Sequence, residues 1–491
     1  MQLDGLPAEL YSAIISHLPA DSSQQDVLAL TRAIPRSPVP IHHLFERIRI
    51  KHAQQIVQLH RRLRNATDER NWVKDFGIVT WTIDADALVN LMEILPRISS
   101  LLLFVGPNFA PEHLEAIFHE PREDLHFLSL RFRPYVKVAT YYQFLKGAYF
   151  DTTLTALSRW PSYKLPTLSI VQDPPESMIS SGRHFAQPLV FFKLEPISVL
   201  LCSEYIRSLA HLRLRIPSRQ VSRFISSIPS PVPALRLLDL STCNILASDM
   251  EGILIRFHNL QHLILDGCSV ARDQSQATEW NNIGKICATA TVRRAKAREK
   301  ELKTWLQHNA ATATALAVMP QPAARRIRPG RRGLATATIS LREEEPTASE
   351  PDIIHVPAGI VIPKVRIVPS PPVLLSLCTS ASFITDVQHQ TIREEFEKGW
   401  DEGLAQLAAV KSRLYGSWKN GIRMMRITAD VSGGGYDDLE AIEGESTFYS
   451  KQDNNASLAP PALCLAGSGT SGKHVEGCGH NIAWNAWNDT I

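Results

Sequence analysis

Hydrophobic positions along the chain follow more than one period. The most persistent is a spaced triplet, LxxLxL, at Leu235, Leu238 and Leu240 and again at Leu260, Leu263 and Leu265. Looser copies stand at Leu209, Leu212 and Leu214, at Leu125, Leu128 and Leu130, at Ile98, Leu101 and Leu103, and at Val73, Phe76 and Ile78. Their starts, at 73, 98, 125, 209, 235 and 260, are 25, 27, 84, 26 and 25 residues apart. The long gap leaves room for about three more units, and LPTLSI at 165–170 has the form of one. Alternation along LxL puts the leucines on one side of a short strand, and a helix such as SDMEGILIRF returns the chain. No such unit buries its apolar side alone, so the units must stack. The last two triplets are followed by Cys243 and Cys268, placed where a buried thiol can satisfy loop backbone groups.

The second period is helical. In LPAELYSAIISHLP, Leu10, Ile14, Ile15 and Leu18 share one broad face, Pro7 suits the first turn and Pro19 closes the segment. Asp21 to Gln24 has capping-box spacing before VLALTRAI, and IHHLFERIRI reads as a third short helical piece. Three such helices are too small to cover their own apolar surface, so a face is left for a neighbour: the open end of the stack or another protein. Further on, Phe396, Trp400, Leu404, Leu407, Leu414, Trp418 and Ile422 recur at helical intervals behind Thr391 and Glu394, again with capping-box spacing. VRRAKAREKELKTWLQH, 292–308, reads as a solvated charged helix. The Ala-, Thr- and Pro-rich stretch that follows reads as a flexible linker, and the Gly-rich tail as disordered.

Composition narrows the function classes. The chain has 491 residues, 44% hydrophobic and 21% charged, enough apolar mass for two or three domains. With 52 basic against 49 acidic residues, the net charge of +3 gives no field for nucleic acid over the molecule as a whole. One basic cluster, AARRIRPGRR at 323–332, could be a nuclear-import address or a phosphate contact. No run reaches the roughly 18–20 apolar residues of a membrane span and no signal core opens the chain, so cytoplasm or nucleus is expected. The seven cysteines form no CxxC pair, which argues against a disulfide framework and a zinc finger. His474, Cys478 and His480 are three candidate zinc ligands, short of a structural set, so no metal and no cofactor is expected. GSGTSGKH at 467–474 nearly spells a phosphate-binding loop, but His474 stands where the magnesium-binding Ser or Thr belongs. No nucleophile elbow or metal-spaced His/Glu motif is found, and the chain reads as non-catalytic.

Two resemblances give these patterns a direction. LxxLxL followed by Cys resembles the cysteine-containing class of leucine-rich-repeat proteins, which implies a curved solenoid of strand plus helix per repeat. Leu6 and Pro7, Glu9 and Leu10, the pair Ile14 and Ile15, and the closing Leu18 resemble the start of an F-box. An F-box followed by such repeats is similar to the F-box proteins of fungi. The usual Trp near the end of the module is missing, and Pro35, Pro38 and Pro40 interrupt its second half. The resemblance implies an α/β protein that acts as substrate receptor of a ubiquitin ligase. A Skp-type adaptor, and through it a cullin, would dock on Leu6, Pro7, Leu10, Ile14, Ile15 and Leu18.

In a solenoid of this kind the strand residues between the leucines face outward on the concave side. They include Arg131, Arg133, Arg213, Arg215, Asp239 and Asp266, nominated as contacts to an unknown target protein. The arginines would suit an acidic or phosphorylated segment. The alternative is a leucine-rich interaction scaffold in which the first helices only cap the stack. The expected organisation is a helical F-box-like module over 1–50, repeats over 51–290, a charged helix over 291–308, a flexible linker over 309–390, an isolated amphipathic helix over 391–426 and a disordered tail over 427–491.

Overall fold

The computed structural model describes residues 6–18, 22–133, 150–161, 164–173, 190–226, 232, 234–271, 277–317, 364–380, 385–428, 435–448, 458–467 and 474–487. The strands are β1 (Arg47–Ile50), β2 (Asp75–Ile78), β3 (Ser100–Val105), β4 (Phe127–Phe132), β5 (Thr167–Gln172), β6 (His211–Arg215), β7 (Leu237–Asp239), β8 (His262–Ile264), β9 (Val365–Ile367), β10 (Ser376–Cys378), β11 (Arg423–Ile427), β12 (Leu439–Ala441) and β13 (Ala462–Cys464). Ten of them build one open sheet in the order β1-β2-β3-β4-β5-β6-β7-β8-β10-β13, with every pair parallel. The molecule is α/β, with a large parallel sheet at its centre.

The triplet leucines explain the register. Ile48, Phe76, Leu101, Leu128, Leu168, Leu212, Leu238, Leu263, Leu377 and Leu463 face one another across successive strands as a single row. All are buried, and all join one continuous core with the helices that return the chain, among them Ala85–Glu93, Pro111–Ile117 and Ala247–Arg256. A one-residue slip would turn this row onto the opposite face, so the leucines fix the pairing. The thiols do what their positions suggested. The Cys243 Sγ–H donates to the Leu214 carbonyl at 3.2 Å and the Cys268 Sγ–H to the Leu240 carbonyl at 3.2 Å, each reaching back to the preceding strand end. Burial pushes the Cys243 thiol up to about 12, so it stays protonated and able to donate.

Several expectations are corrected. IHHLFERIRI divides into a helical turn, His43–Glu46, and strand β1, because Ile48 and Ile50 alternate with arginines at period two and enter the row. Among the described residues, the 84-residue gap contributes one strand, β5, which pairs with both β4 and β6. Asp21, half of the expected capping box, lies outside the described residues; Ser22 stands at the start of the Ser23–Ala33 helix without a side-chain capping bond, and the Gln24 side chain donates to the Leu44 carbonyl. The charged segment is the middle of a helix, Ala277–Ala317, whose Val292, Ala295 and Leu302 are buried. The amphipathic helix runs Asp386–Lys419 and is capped by Thr385 with Gln388, not by Thr391. It is not isolated: Phe396 and Trp400 are buried against the Ala277–Ala317 helix. The supposed linker contributes β9 and β10, while its basic cluster lies outside the described residues. The tail is not structureless, because β12, β13 and a helix, Gly479–Trp487, fall within it. Strands β12, β11 and β9 form a small second sheet whose Ile367, Met425 and Leu439 pack on Ala295 and Leu302.

Candidate functional site

Two surfaces bear on function. At the N-terminal end, the Ala8–Ser16 and Ser23–Ala33 helices make a small core of Tyr11, Ile15, Val27 and Val39, with Leu6, Leu18, Leu30 and Leu44 half-buried around it. Ile15, expected on the docking face, is 3% exposed and belongs to this core. The broad apolar face exceeds what the module can bury, and so splits. Leu10 and Ile14 remain 46% and 44% exposed, beside Pro7 at the helix start, and Leu28 and Ile41 are exposed as well.

The second surface is the face of the large sheet opposite the leucine row. One residue along from the row stand Ser129, Ser169, Arg213, Asp239, Ile264, Cys378 and Cys464 on adjacent strands. Its charged members pair with one another. Arg213 Nε donates to Asp239 Oδ2 at 3.0 Å, Arg215 Nη2 donates to the same oxygen at 2.7 Å, and the Ser241 hydroxyl donates to Asp239 Oδ1. Burial would raise the Asp239 carboxyl, but the Arg215 and Arg213 guanidiniums outweigh it and hold the group well below the usual carboxylate range. The helix Gly479–Trp487 lies over this end of the face. Trp487 stacks against the Arg213 guanidinium at 4.7 Å and meets the His211 ring edge-on, while His480 Nε2 bonds Asp266. Arg213, Asp239 and Asp266, nominated as target contacts, are therefore buried internal groups, and Arg215 is tied to the same carboxylate. Arg131 and Arg133 stand elsewhere. Arg131 pairs with Asp173 and lies over Phe104, and both guanidiniums approach the Trp81 ring.

Under the tail helix sits a grouping of which the sequence showed three members, His474, Cys478 and His480. Cys464, His474, Cys478 and His480 bring one ligand-type atom each to within 4.8 Å of the others. The member missed, Cys464, lies on β13, and its sheet partner Cys378 places a further thiol beside it. Its signal was the burial of both cysteines on short apolar strands, invisible without the pairing. Cys378 lies well above the ordinary thiol range through hydrogen bonds to Cys464 and Cys478, which are drawn down in return. A second group, His42, His43 and Glu46, is half-exposed, and Lys74 already occupies its carboxylate.

No protein-family model matches the chain, and comparison with curated proteins finds no match. No helix among the described residues is long and apolar enough to cross a membrane.

Proposed function

We propose that this chain is a non-catalytic substrate-recognition subunit of a Skp/cullin-type ubiquitin ligase. The N-terminal module docks a Skp-type adaptor, and the sheet, read as a leucine-rich-repeat solenoid, holds a target protein. The observation that carries the reading is the split face of the first helix. A module that only capped the stack would turn Leu10 and Ile14 onto β1, whereas both are exposed while Tyr11 and Ile15 complete the module's own core. Exposed Leu28 and Ile41 extend the apolar surface available to a partner groove. The repeat reading is supported by the single row of leucines and by two thiols that make the same bond one unit apart.

With Arg213, Asp239 and Asp266 closed off, the target surface moves to the ends of β2–β4, where Arg131 and Arg133 meet Trp81 and Phe104. Guanidiniums beside aromatic rings suit an acidic or phosphorylated segment. Ubiquitin transfer then rests on proximity supplied by the other subunits.

The test is a pull-down of purified Skp-type adaptor by the full chain. Leu10→Asp with Ile14→Asp is expected to abolish capture while leaving the thermal midpoint in place, since both positions are exposed. A folded wild-type chain that captures no adaptor refutes the reading.

A further inference from the structure

We infer that Cys464, His474, Cys478 and His480 form a tetrahedral zinc site that fastens the C-terminal segment onto the outward face of the sheet. The inference stands apart from the ligase reading and rests on geometry. His474 Nδ1 lies 3.6 Å from Cys464 Sγ and 3.7 Å from Cys478 Sγ, and His480 Nδ1 lies 3.4 Å from Cys464 Sγ. Zinc bonds of about 2.3 Å to sulfur and about 2.0–2.1 Å to nitrogen set the sulfur–nitrogen edges of a tetrahedron at roughly 3.5 Å. The three contacts bracket that value.

Hydrogen bonding alone accounts for the arrangement poorly. An imidazole nitrogen has a single lone pair or a single proton, yet His474 Nδ1 faces two sulfurs almost equally, and Cys464 Sγ faces two imidazole nitrogens. A cation at the centre satisfies all four ligand atoms at once. The surroundings are those of a structural metal site. His480 holds Asp266 through Nε2 at 3.0 Å, which fixes the ring with Nδ1 aimed at the cluster, the carboxylate–histidine arrangement that supports metal ligands. Cys464, Cys478 and His480 are buried, with Trp487 and Ala483 packed in the same apolar cluster. Two thiolates and two imidazoles, with the carboxylate kept to the outer layer, select zinc over the oxygen-seeking cations. Binding releases the thiol protons to solvent as the two zinc–sulfur bonds form. Cys378, next to Cys464 on the sheet, is outside the ligand set and remains a thiol.

The experiment is elemental analysis of the full chain, loaded with zinc and freed of excess metal, beside its cobalt-substituted form. About one zinc per chain is expected, with visible absorption bands typical of tetrahedral cobalt bound by sulfur and nitrogen. Cys478→Ser and His474→Gln should each lose the metal, and Cys378→Ser should keep it. The cobalt spectrum of the wild type needs no variant, so a misfolded mutant leaves the proposal open to refutation. Less than about a tenth of a zinc per chain with no cobalt spectrum overturns the site, and metal lost with Cys378→Ser but kept with His474→Gln overturns this ligand set. Neither readout involves the adaptor.

Discussion

At the scale of single residues, Asp239 decides most. It is wholly buried, with two guanidiniums on one carboxylate oxygen. Removing its charge takes away the buried carboxylate that Arg213 and Arg215 both hold, so Asp239→Asn should cost about 3–5 kcal/mol in urea denaturation. The acid dependence has a definite sign. A carboxyl held below its usual range contributes its full stability above about pH 4, and that contribution is lost as pH falls further. The unfolding midpoint of the wild type should therefore not vary with pH on account of this group between pH 5 and 8. Below pH 4 it should fall more steeply than that of Asp239→Asn. Alternation along the strand made the outward direction of Arg213 and Asp239 legible in the sequence. What faces them was not, because Trp487 and His480 arrive from a segment more than two hundred residues away whose composition reads as loop.

Among the elements, the two long helices carry the clearest test. They approach so closely that a Cβ at Gly399 would fall 1.8 Å from the Asn281 carbonyl oxygen, and one at Gly284 would fall 2.1 Å from that of Phe396. Gly399→Val should destabilise the chain by about 1–3 kcal/mol through overpacking. Gly416, on the same helix but with open space around it, is the control: Gly416→Ala should stabilise by about 0.5–1 kcal/mol. Equal effects at the two positions would show that the helices do not pack as described. The stripe Phe396, Trp400 and Leu407 announced a helix with a buried side, and all three are buried. Its partner was not legible, because the closest contacts with the Ala277–Ala317 helix are backbone approaches at Gly284, Gly399 and Gly403, which a hydrophobic pattern does not mark. β1 was missed for a related reason: four residues are too few for a period of two to stand out against a helical prelude.

In the whole molecule, the two sheet neighbours β8 and β10 are separated in sequence by more than a hundred residues that include the long Ala277–Ala317 helix and β9, so the C-terminal edge is assembled from distant sequence. A chain ending at residue 457 lacks β13 and the tail helix. It should lose hydrogen-exchange protection at β7, β8 and β10, with β2–β4 unchanged; uniform protection in both forms would show that the tail is not part of the fold. The spaced triplets made the parallel stack legible from Val73 to Leu265, while the last two strands carry no triplet of their own. The strand order has one more implication. Neighbouring strands are set about 4.8 Å apart, so the nine steps from β1 to β13 span roughly 43 Å. The exposed leucine and isoleucine of the first helix and the cysteine–histidine cluster thus stand toward opposite ends of a ruler whose length is set by the number of strands, and each added or deleted strand would change their separation by a fixed increment of about 4.8 Å.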